Sequence, residues 1–218
     1  MSIPLPDAYE HGWIPFLGAH IQLDSRPLIP RSETEWWTEK AIEAIKQHPG
    51  ARVLDIFAGS GCVGCAVLLH VANVHVDFAE LDAQHLATVR KNIVRLGPLS
   101  TPSFYISDVY EGLPPDERYD FILANPPYLS DTRRERVEPT VLAHEPHQAL
   151  FADDDGFALI HRTIAGAPER LLPNGQLWIE HEPEHTERIK TTATSIGLEA
   201  STHRDQYGVE RYSVIIKR

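Results

Sequence analysis

The chain has 218 residues, 42% hydrophobic and 23% charged, which is long enough to bury one sizeable core and is typical of a globular protein. Its formal net charge of −11 argues against a surface built to hold a nucleic-acid backbone. No signal-peptide pattern or membrane-length apolar run occurs and there are only 2 cysteines, so the sequence predicts a cytoplasmic protein without a disulfide framework.

The sequence pattern of residues 1–50 predicts an arm that leads into the main fold. Residues 13–23 suit a short hairpin or an extended arm. Ser32 and Glu35 have the spacing of a capping box, and helical spacing of apolar residues follows them. We interpret the tryptophan pair 36–37 in that helix as core side chains.

From residue 52 onward, strand and helix patterns alternate, which predicts an α/β domain over residues 51–218. The predicted strands are 53–57, 74–79, 103–106, 119–123, 176–180, 198–204 and 210–217. The predicted helices are 63–71, 83–96 with a stop at Gly97-Pro98, 156–171 and 184–195. The fold expected is a doubly wound, mostly parallel seven-stranded sheet that ends in an antiparallel C-terminal hairpin.

The stretch Asn125-Pro-Pro-Tyr128 follows a buried strand and is the most informative motif in the chain. Two prolines stop the sheet at its carboxyl edge, where open α/β sheets bind ligands. Asn125 supplies an amide and Tyr128 an aromatic face, so a planar amide or amine can be hydrogen-bonded and stacked there. The polar stretch 130–155 that follows contains no predicted strand and suits a lid or binding segment.

A glycine turn follows the first strand of this domain, and residues 59–64 match G-x-G-x-x-G. Taken alone, this pattern favours a dinucleotide. However, Asp55 lies just before the turn at the mouth of the first predicted strand, and Glu80 and Asp108 close the next two. A pyrophosphate would be repelled by Asp55, whereas an ammonium group, a ribose and an adenine amine suit these three acids. S-adenosyl-L-methionine (SAM) carries all three groups.

The pair Cys62 and Cys65 has the C-x-x-C spacing of redox and zinc motifs. No second ligand pair accompanies it, and the 12 histidines show no metal-binding spacing, so we expect packed thiols and no metal site.

Several motifs in this order resemble the HemK-type protein-glutamine methyltransferases, which methylate the glutamine of the Gly-Gly-Gln loop in peptide-chain release factors. The segments that carry the resemblance are 28–35, 55–61, Glu80 with Asn92, 125–128, 145–156, Glu180 and 205–211. The Asn-Pro-Pro-Tyr motif alone is shared with nucleic-acid amino-methyltransferases. The first and fifth segments narrow the resemblance to the HemK group.

The resemblance implies a class I SAM-dependent methyltransferase fold, with S-adenosyl-L-homocysteine as the second product. The cofactor-binding residues it implies are Asp55, Phe57, Gly59, Gly61, Glu80, Leu81, Asp108, Val109 and Asn125. In the implied chemistry, the Asn125 oxygen and the Pro126 carbonyl accept the two amide hydrogens, and Tyr128 packs against the amide. The substrate site also takes in Pro127, Arg31 and Glu145.

Two departures from the family pattern accompany the resemblance. Phe57 stands where the family usually has a glycine, and only a short arm takes the place of a separate N-terminal helical domain. The expected partner is a release factor, without nucleic acid or membrane, and the expected state is a monomer. The alternatives are a ribosomal-protein glutamine or adenine N6 as acceptor, an NAD-dependent oxidoreductase, and a non-enzymatic SAM-binding subunit.

Overall fold

The computed structural model describes residues 3–97 and 101–218 and contains a two-stranded hairpin and a seven-stranded sheet. The strands are β1 (Trp13–Phe16), β2 (Ala19–Gln22), β3 (Arg52–Ile56), β4 (His75–Glu80), β5 (Phe104–Ile106), β6 (Tyr119–Ala124), β7 (Leu171–Glu180), β8 (Glu199–Arg204) and β9 (Glu210–Ile216). The helices are α1 (Asp7–His11), α2 (Ser32–Ile45), α3 (Cys62–His70), α4 (Ala83–Leu96), α5 (Pro139–His144), α6 (Ala158–Arg170) and α7 (Thr186–Ser195).

The large sheet has the strand order β5-β4-β3-β6-β7-β9-β8. The pairs from β5 to β7 are parallel, and β9 runs antiparallel to both β7 and β8. The predicted fold, a mostly parallel sheet of seven strands with an antiparallel C-terminal hairpin, is therefore confirmed.

Helices cover both faces of the sheet and create two hydrophobic cores. Val53 and Leu54 are neighbours on β3 but lie in different cores, because successive side chains of a strand point to opposite faces. One core takes in α2, α3 and α4, and the other takes in α6 and α7. The near-continuous apolar strands of the sequence follow from this burial on both faces.

The N-terminal arm contains the predicted hairpin, β1 with β2, and also the short helix α1, which the sequence did not predict. The predicted capping box is wrong. Arg31 is the residue that precedes α2, and Ser32 already lies inside the helix. Glu35 instead accepts a hydrogen bond from the backbone N–H of Leu17 at 2.5 Å, which ties the hairpin to α2.

Two other predictions change in detail. The turn predicted at residues 173–175 lies within β7, where the pairing with β6 jumps from Leu171 opposite Tyr119 to Gln176 opposite Phe121. The long segment 130–155 holds α5 and two 3₁₀ turns. Leu129, just before the segment, forms an isolated parallel bridge with Phe151 inside it.

The predicted stop of α4 falls partly on Pro98, which lies outside the described residues. Among the helices described, none has the length and apolar character needed to cross a membrane.

Candidate active site

The carboxyl ends of three parallel strands place the predicted site residues along one edge of the sheet. Ile56 of β3 is in register with Ala79 of β4 and with Ala124 of β6. The residues that follow these positions, Glu80, Phe57 and Asn125, therefore lie at the same edge of the sheet, with Phe57 on the middle of the three strands. The site depends on this register because its polar groups come from separate parts of the chain.

A cavity of about 120 Å³, here called the inner pocket, opens at this edge. Eight residues singled out in the sequence line it: Phe57, Gly59, Glu80, Leu81, Asp108, Val109, Asn125 and Pro127. Six more residues complete the lining. Leu28, Gln148 and Ala149 belong to the segments 28–35 and 145–156 but were assigned no role from the sequence, and His85, Ser107 and Leu159 were not singled out. Apolar walls with two carboxylates suit a flat, partly polar ligand.

Glu80 is held in place by backbone groups. Its Oε2 accepts the N–H of Gly59 at 2.8 Å and its Oε1 accepts the N–H of Asp82 at 2.9 Å. A carboxylate has about four lone-pair sites, so capacity remains for two hydroxyl donors. The Oδ1 of Asp108 accepts a hydrogen bond from Arg162 at 3.0 Å, and its other oxygen is available to a ligand.

The glycine turn uses backbone conformations that favour glycine. Gly59 and Gly61 have φ angles of 53° and 76°, and Phe57 adopts 61° despite its side chain. Gly61 also packs closely, because an added Cβ would lie 2.8 Å from Cγ1 of Val89. Gly61 thus shapes the turn and its contact with α4, whereas Phe57 and Gly59 reach the inner pocket.

Asp55 lies beneath this turn and is almost completely buried. Its Oδ2 accepts the N–H of Gly64 at 2.8 Å. Burial raises the pKa of Asp55 to about 8, with the Gly64 hydrogen bond acting to lower it and the charge of Glu80 acting to raise it. The carboxyl lines a cavity of about 40 Å³ that shares Phe57, Gly59 and Asn125 with the inner pocket.

The two cysteines are buried free thiols, as predicted. Burial raises the pKa of Cys65 well above its ordinary value, so this thiol stays protonated and unreactive. Cys62 lines the small cavity beside Asp55.

A second and larger cavity of about 820 Å³, here called the outer cleft, lies on the other side of the Asn-Pro-Pro-Tyr motif. Pro126 and Tyr128 line the outer cleft, Pro127 lines the inner pocket, and Asn125 lines both. The two prolines are thus turned to different cavities. Asn125 is the polar residue that the linings of the two cavities share.

Arg31 and Glu145 connect the outer cleft to the long segment. The guanidinium of Arg31 lies 2.6 Å from Oε1 of Glu145, and the backbone N–H of Ile29 donates to Oε2 at 3.0 Å. The Glu145 carboxylate is 2% exposed and the Arg31 side chain 35% exposed, so this is more than a surface ion pair. We therefore interpret both residues as holding the segment against the cleft.

Glu180, at the end of β7, receives three side-chain hydrogen bonds. Tyr128 donates to Oε1 at 2.8 Å, Trp37 donates to Oε2 at 2.6 Å, and Thr34 donates to Oε2 at 2.7 Å. Trp37 is fully buried, as predicted, but its indole N–H also serves the site. In the sequence, Glu180 stands out as an acid that ends a strand, and Thr34 lies within the segment 28–35 but was assigned no role of its own.

Comparison with known proteins gives consistent matches. Residues 37–150 match the family model described as "Methyltransferase small domain". The "Release factor glutamine methyltransferase" of Bordetella pertussis is 36% identical over 209 residues, which cover 95% of this chain and 76% of that protein.

Two solved structures show the same fold. A protein-(glutamine-N5) methyltransferase described as release factor-specific, from Alicyclobacillus acidocaldarius, aligns with a TM-score of 0.53 at 21% identity, covering 88% of this chain and 95% of that one. A Thermus thermophilus 16S rRNA methyltransferase in complex with AdoMet and guanosine aligns with a TM-score of 0.64 at 19% identity, covering 94% of this chain and 50% of that one.

Proposed function

The chain belongs to the family of release factor glutamine methyltransferases, and we propose that it transfers a methyl group from SAM to a glutamine side-chain amide in a release factor. The acceptor is the glutamine of the Gly-Gly-Gln loop. The observation that carries the proposal is the position of Asn125, which lines both the inner pocket and the outer cleft. A methyl donor on one side and an amide on the other would meet there.

The inner pocket fits the nucleoside part of SAM by its chemistry. Glu80 offers carboxylate oxygens to the ribose hydroxyls. Asp108 offers an oxygen to the adenine amine, and Leu81 and Val109 supply apolar walls. These assignments use donors and acceptors that the described residues leave available.

The methionine part of SAM suits the small cavity beneath the glycine turn. Phe57, Gly59 and Asn125 are shared by this cavity and the inner pocket, so one ligand can extend from one into the other. The Asp55 carboxyl at its floor would attract the ammonium group. Gly61 supports this end by shaping the turn.

The outer cleft is the proposed entry for the protein substrate. The Oδ1 of Asn125 and the carbonyl of Pro126 accept the two hydrogens of the substrate amide, and Tyr128 packs beside it. Arg31 and Glu145 hold the long segment that forms part of the wall. Pro127 keeps the motif rigid between the two cavities.

An amide nitrogen is a poor nucleophile because its lone pair is delocalised, and bound SAM supplies a strongly activated methyl group. The protein therefore contributes by aligning the amide nitrogen with the methyl group of SAM. Two acceptors on the amide hydrogens favour a pyramidal nitrogen that points along the S–CH₃ axis. The N–C bond forms as the C–S bond breaks, S-adenosyl-L-homocysteine leaves, and the methylated nitrogen then loses a proton to solvent.

The direct test is mass spectrometry of a release factor incubated with the protein and methyl-labelled SAM. We expect one label on the glutamine of the Gly-Gly-Gln peptide. Asn125→Ala should bind SAM with nearly unchanged affinity by calorimetry but transfer no label. A label on a ribosomal protein, or on adenine, with the release factor unmodified would contradict the proposed substrate.

A further inference from the structure

We propose that Thr34 and Glu180 are positioning residues that determine which way round the Asn125 carboxamide lies, so that its oxygen faces the methyl-accepting group. The inference rests on the proposed function for its catalytic meaning. Its structural content is independent of that function, because it concerns a chain of three hydrogen bonds within the protein.

The series of hydrogen bonds begins at the indole of Trp37, which can only donate. Trp37 donates its Nε1–H to Oε2 of Glu180 at 2.6 Å, so this oxygen must act as an acceptor. Thr34 donates its hydroxyl hydrogen to the same oxygen at 2.7 Å. All three groups are buried, so water does not compete for these bonds.

The hydroxyl of Thr34 has one hydrogen, and Glu180 takes it. The Oγ1 of Thr34 can therefore only accept a hydrogen bond from Asn125, which lies 3.2 Å away. The Asn125 group that faces Thr34 must then be the NH₂. The reverse orientation would place a carbonyl oxygen against the lone pairs of the hydroxyl, which is repulsive.

The orientation of Asn125 decides what the site can accept. With Nδ2 committed to Thr34, Oδ1 occupies the other branch of the carboxamide and is left to accept a hydrogen bond. An acceptor at the junction of the two cavities selects groups that carry N–H. The same carboxylate also receives the Tyr128 hydroxyl at 2.8 Å, so Glu180 fixes both ends of the Asn-Pro-Pro-Tyr motif.

The main test is Thr34→Val, which keeps the side-chain shape and removes the hydroxyl. Because small misplacements of catalytic groups cost about 100-fold in rate, we expect kcat for the release factor to fall by that order. Thr34 also lines the small cavity, but valine keeps its shape there, so the Kd for SAM should change by a much smaller factor. Thr34→Ser keeps the hydroxyl and should restore most of the rate.

Thr38→Val is the matched control. Thr38 is also buried on α2, but its hydroxyl donates to the backbone carbonyl of Thr34 at 2.7 Å and has no bond to Asn125. We expect its kcat to equal that of the unchanged protein. If Thr38→Val and Thr34→Val lower kcat equally, the effect comes from α2 packing and the proposal is overturned.

A second measurement does not depend on activity. The side-chain NH₂ of Asn125, assigned in the NMR spectrum by its absence in Asn125→Ala, should exchange slowly in the unchanged protein and rapidly in Thr34→Val. If it exchanges at the same rate in both, the proposal is wrong. If exchange behaves as expected but the release factor is not methylated by the unchanged protein, the orientation stands and the proposed function fails.

Trp37→Phe guards against a folding failure in Thr34→Val. It removes the N–H that makes Oε2 an acceptor together with part of the indole ring, and keeps an aromatic side chain in the core. We expect a smaller loss of kcat and faster Asn125 NH₂ exchange, with a circular-dichroism melt that remains cooperative. A folded Trp37→Phe protein with unchanged exchange and unchanged kcat would also overturn the proposal.

Discussion

Asp55 is the residue whose protonation depends both on burial in the fold and on the proposed ligand. Burial raises its pKa to about 8, so at neutral pH the free protein holds Asp55 mostly protonated. A neutral carboxyl is a weak partner for the ammonium group of SAM. Ligand binding should therefore change the protonation of Asp55 as well as fill the cavity above it.

We predict that SAM binding at pH 6.5 releases about one proton, because the ammonium group favours the ionised carboxylate. The α-amino group of free SAM is almost fully protonated at this pH and contributes little. Calorimetry in buffers with different ionisation enthalpies measures the release. Asp55→Asn should abolish it, and a value near zero in the unchanged protein would contradict the prediction.

The same pKa sets a stability trend without ligand. Because the folded-state pKa is raised from 3.8 to about 8, the folded protein holds this proton more tightly than the unfolded chain does. The free energy of unfolding should then fall as the pH rises through this window, relative to Asp55→Asn, by up to about 1.4 kcal/mol per pH unit. Urea titrations at pH 6 and pH 8 compare the two proteins.

At Phe57 the backbone angle φ should make glycine more stabilising than alanine, which reverses the usual effect of glycine on folding stability. Its φ of 61° lies in the left-handed region, which costs about 1 kcal/mol for a residue with a Cβ. We expect Phe57→Gly to be more stable than Phe57→Ala by about that amount, because both lose the same ring packing. At Ile56 in β3, where φ is ordinary, alanine should be the more stable; the same order at Phe57 would refute the argument.

At the residue scale, the sequence predicts those groups that end strands. Glu80 and Asn125 follow apolar runs, so the sheet topology alone brings them to one edge. The two donors to Glu180 from α2 could not be predicted this way, because Thr34 and Trp37 lie 146 and 143 residues away in the chain. Their approach depends on how α2 packs, which no local pattern encodes.

At the element scale, periodicity predicted α4 to its observed bounds because its apolar face is continuous. The predicted cap of α2 failed because the Glu35 carboxylate accepts a hydrogen bond from the backbone of Leu17 in the hairpin and does not cap the helix. The bulge in β7 was missed because Pro173 and Gly175 are also the composition of an ordinary turn. The local residue pattern predicts that an element forms, whereas tertiary packing determines which partners its polar end groups bind.

Gly156 joins the end of the long segment to the Asn-Pro-Pro-Tyr motif. It has a φ of 86°, and an added Cβ would lie 2.0 Å from the backbone oxygen of Tyr128. We expect Gly156→Ala to lower the free energy of unfolding by about 3 kcal/mol and to reduce kcat, because Tyr128 must move. Denaturant unfolding and steady-state kinetics measure the two effects.

Gly197 provides the control, since it has a φ of 77° and no atom within 4 Å of an added Cβ. Gly197→Ala should cost only the conformational term of about 1 kcal/mol and leave kcat unchanged. Equal losses in the two variants would mean that the contact between Gly156 and Tyr128 has no role.

At the scale of the whole molecule, the first 50 residues share a core with the rest. The sequence predicted a lead-in over 1–50 and a domain over 51–218, a division that stays a prediction. Six large side chains from the first part are buried in the core that also contains α3 and α4: Phe16, Ile21, Leu23, Trp37, Ile42 and Ile45. At about 2 kcal/mol each, their burial is on the order of 10 kcal/mol.

That sum is comparable with the whole stability of a typical domain, about 5–15 kcal/mol. We therefore predict that a fragment of residues 51–218 does not fold cooperatively. A fragment of residues 12–218, which loses α1 and only the buried side chain of Tyr9, should keep a cooperative thermal transition at a lower Tm. Circular-dichroism melts and the dispersion of methyl signals in proton NMR distinguish the two. Cooperative melting of the 51–218 fragment would show instead that the arm is an accessory to an independent domain, and that Glu180 can remain buried without its donors from α2.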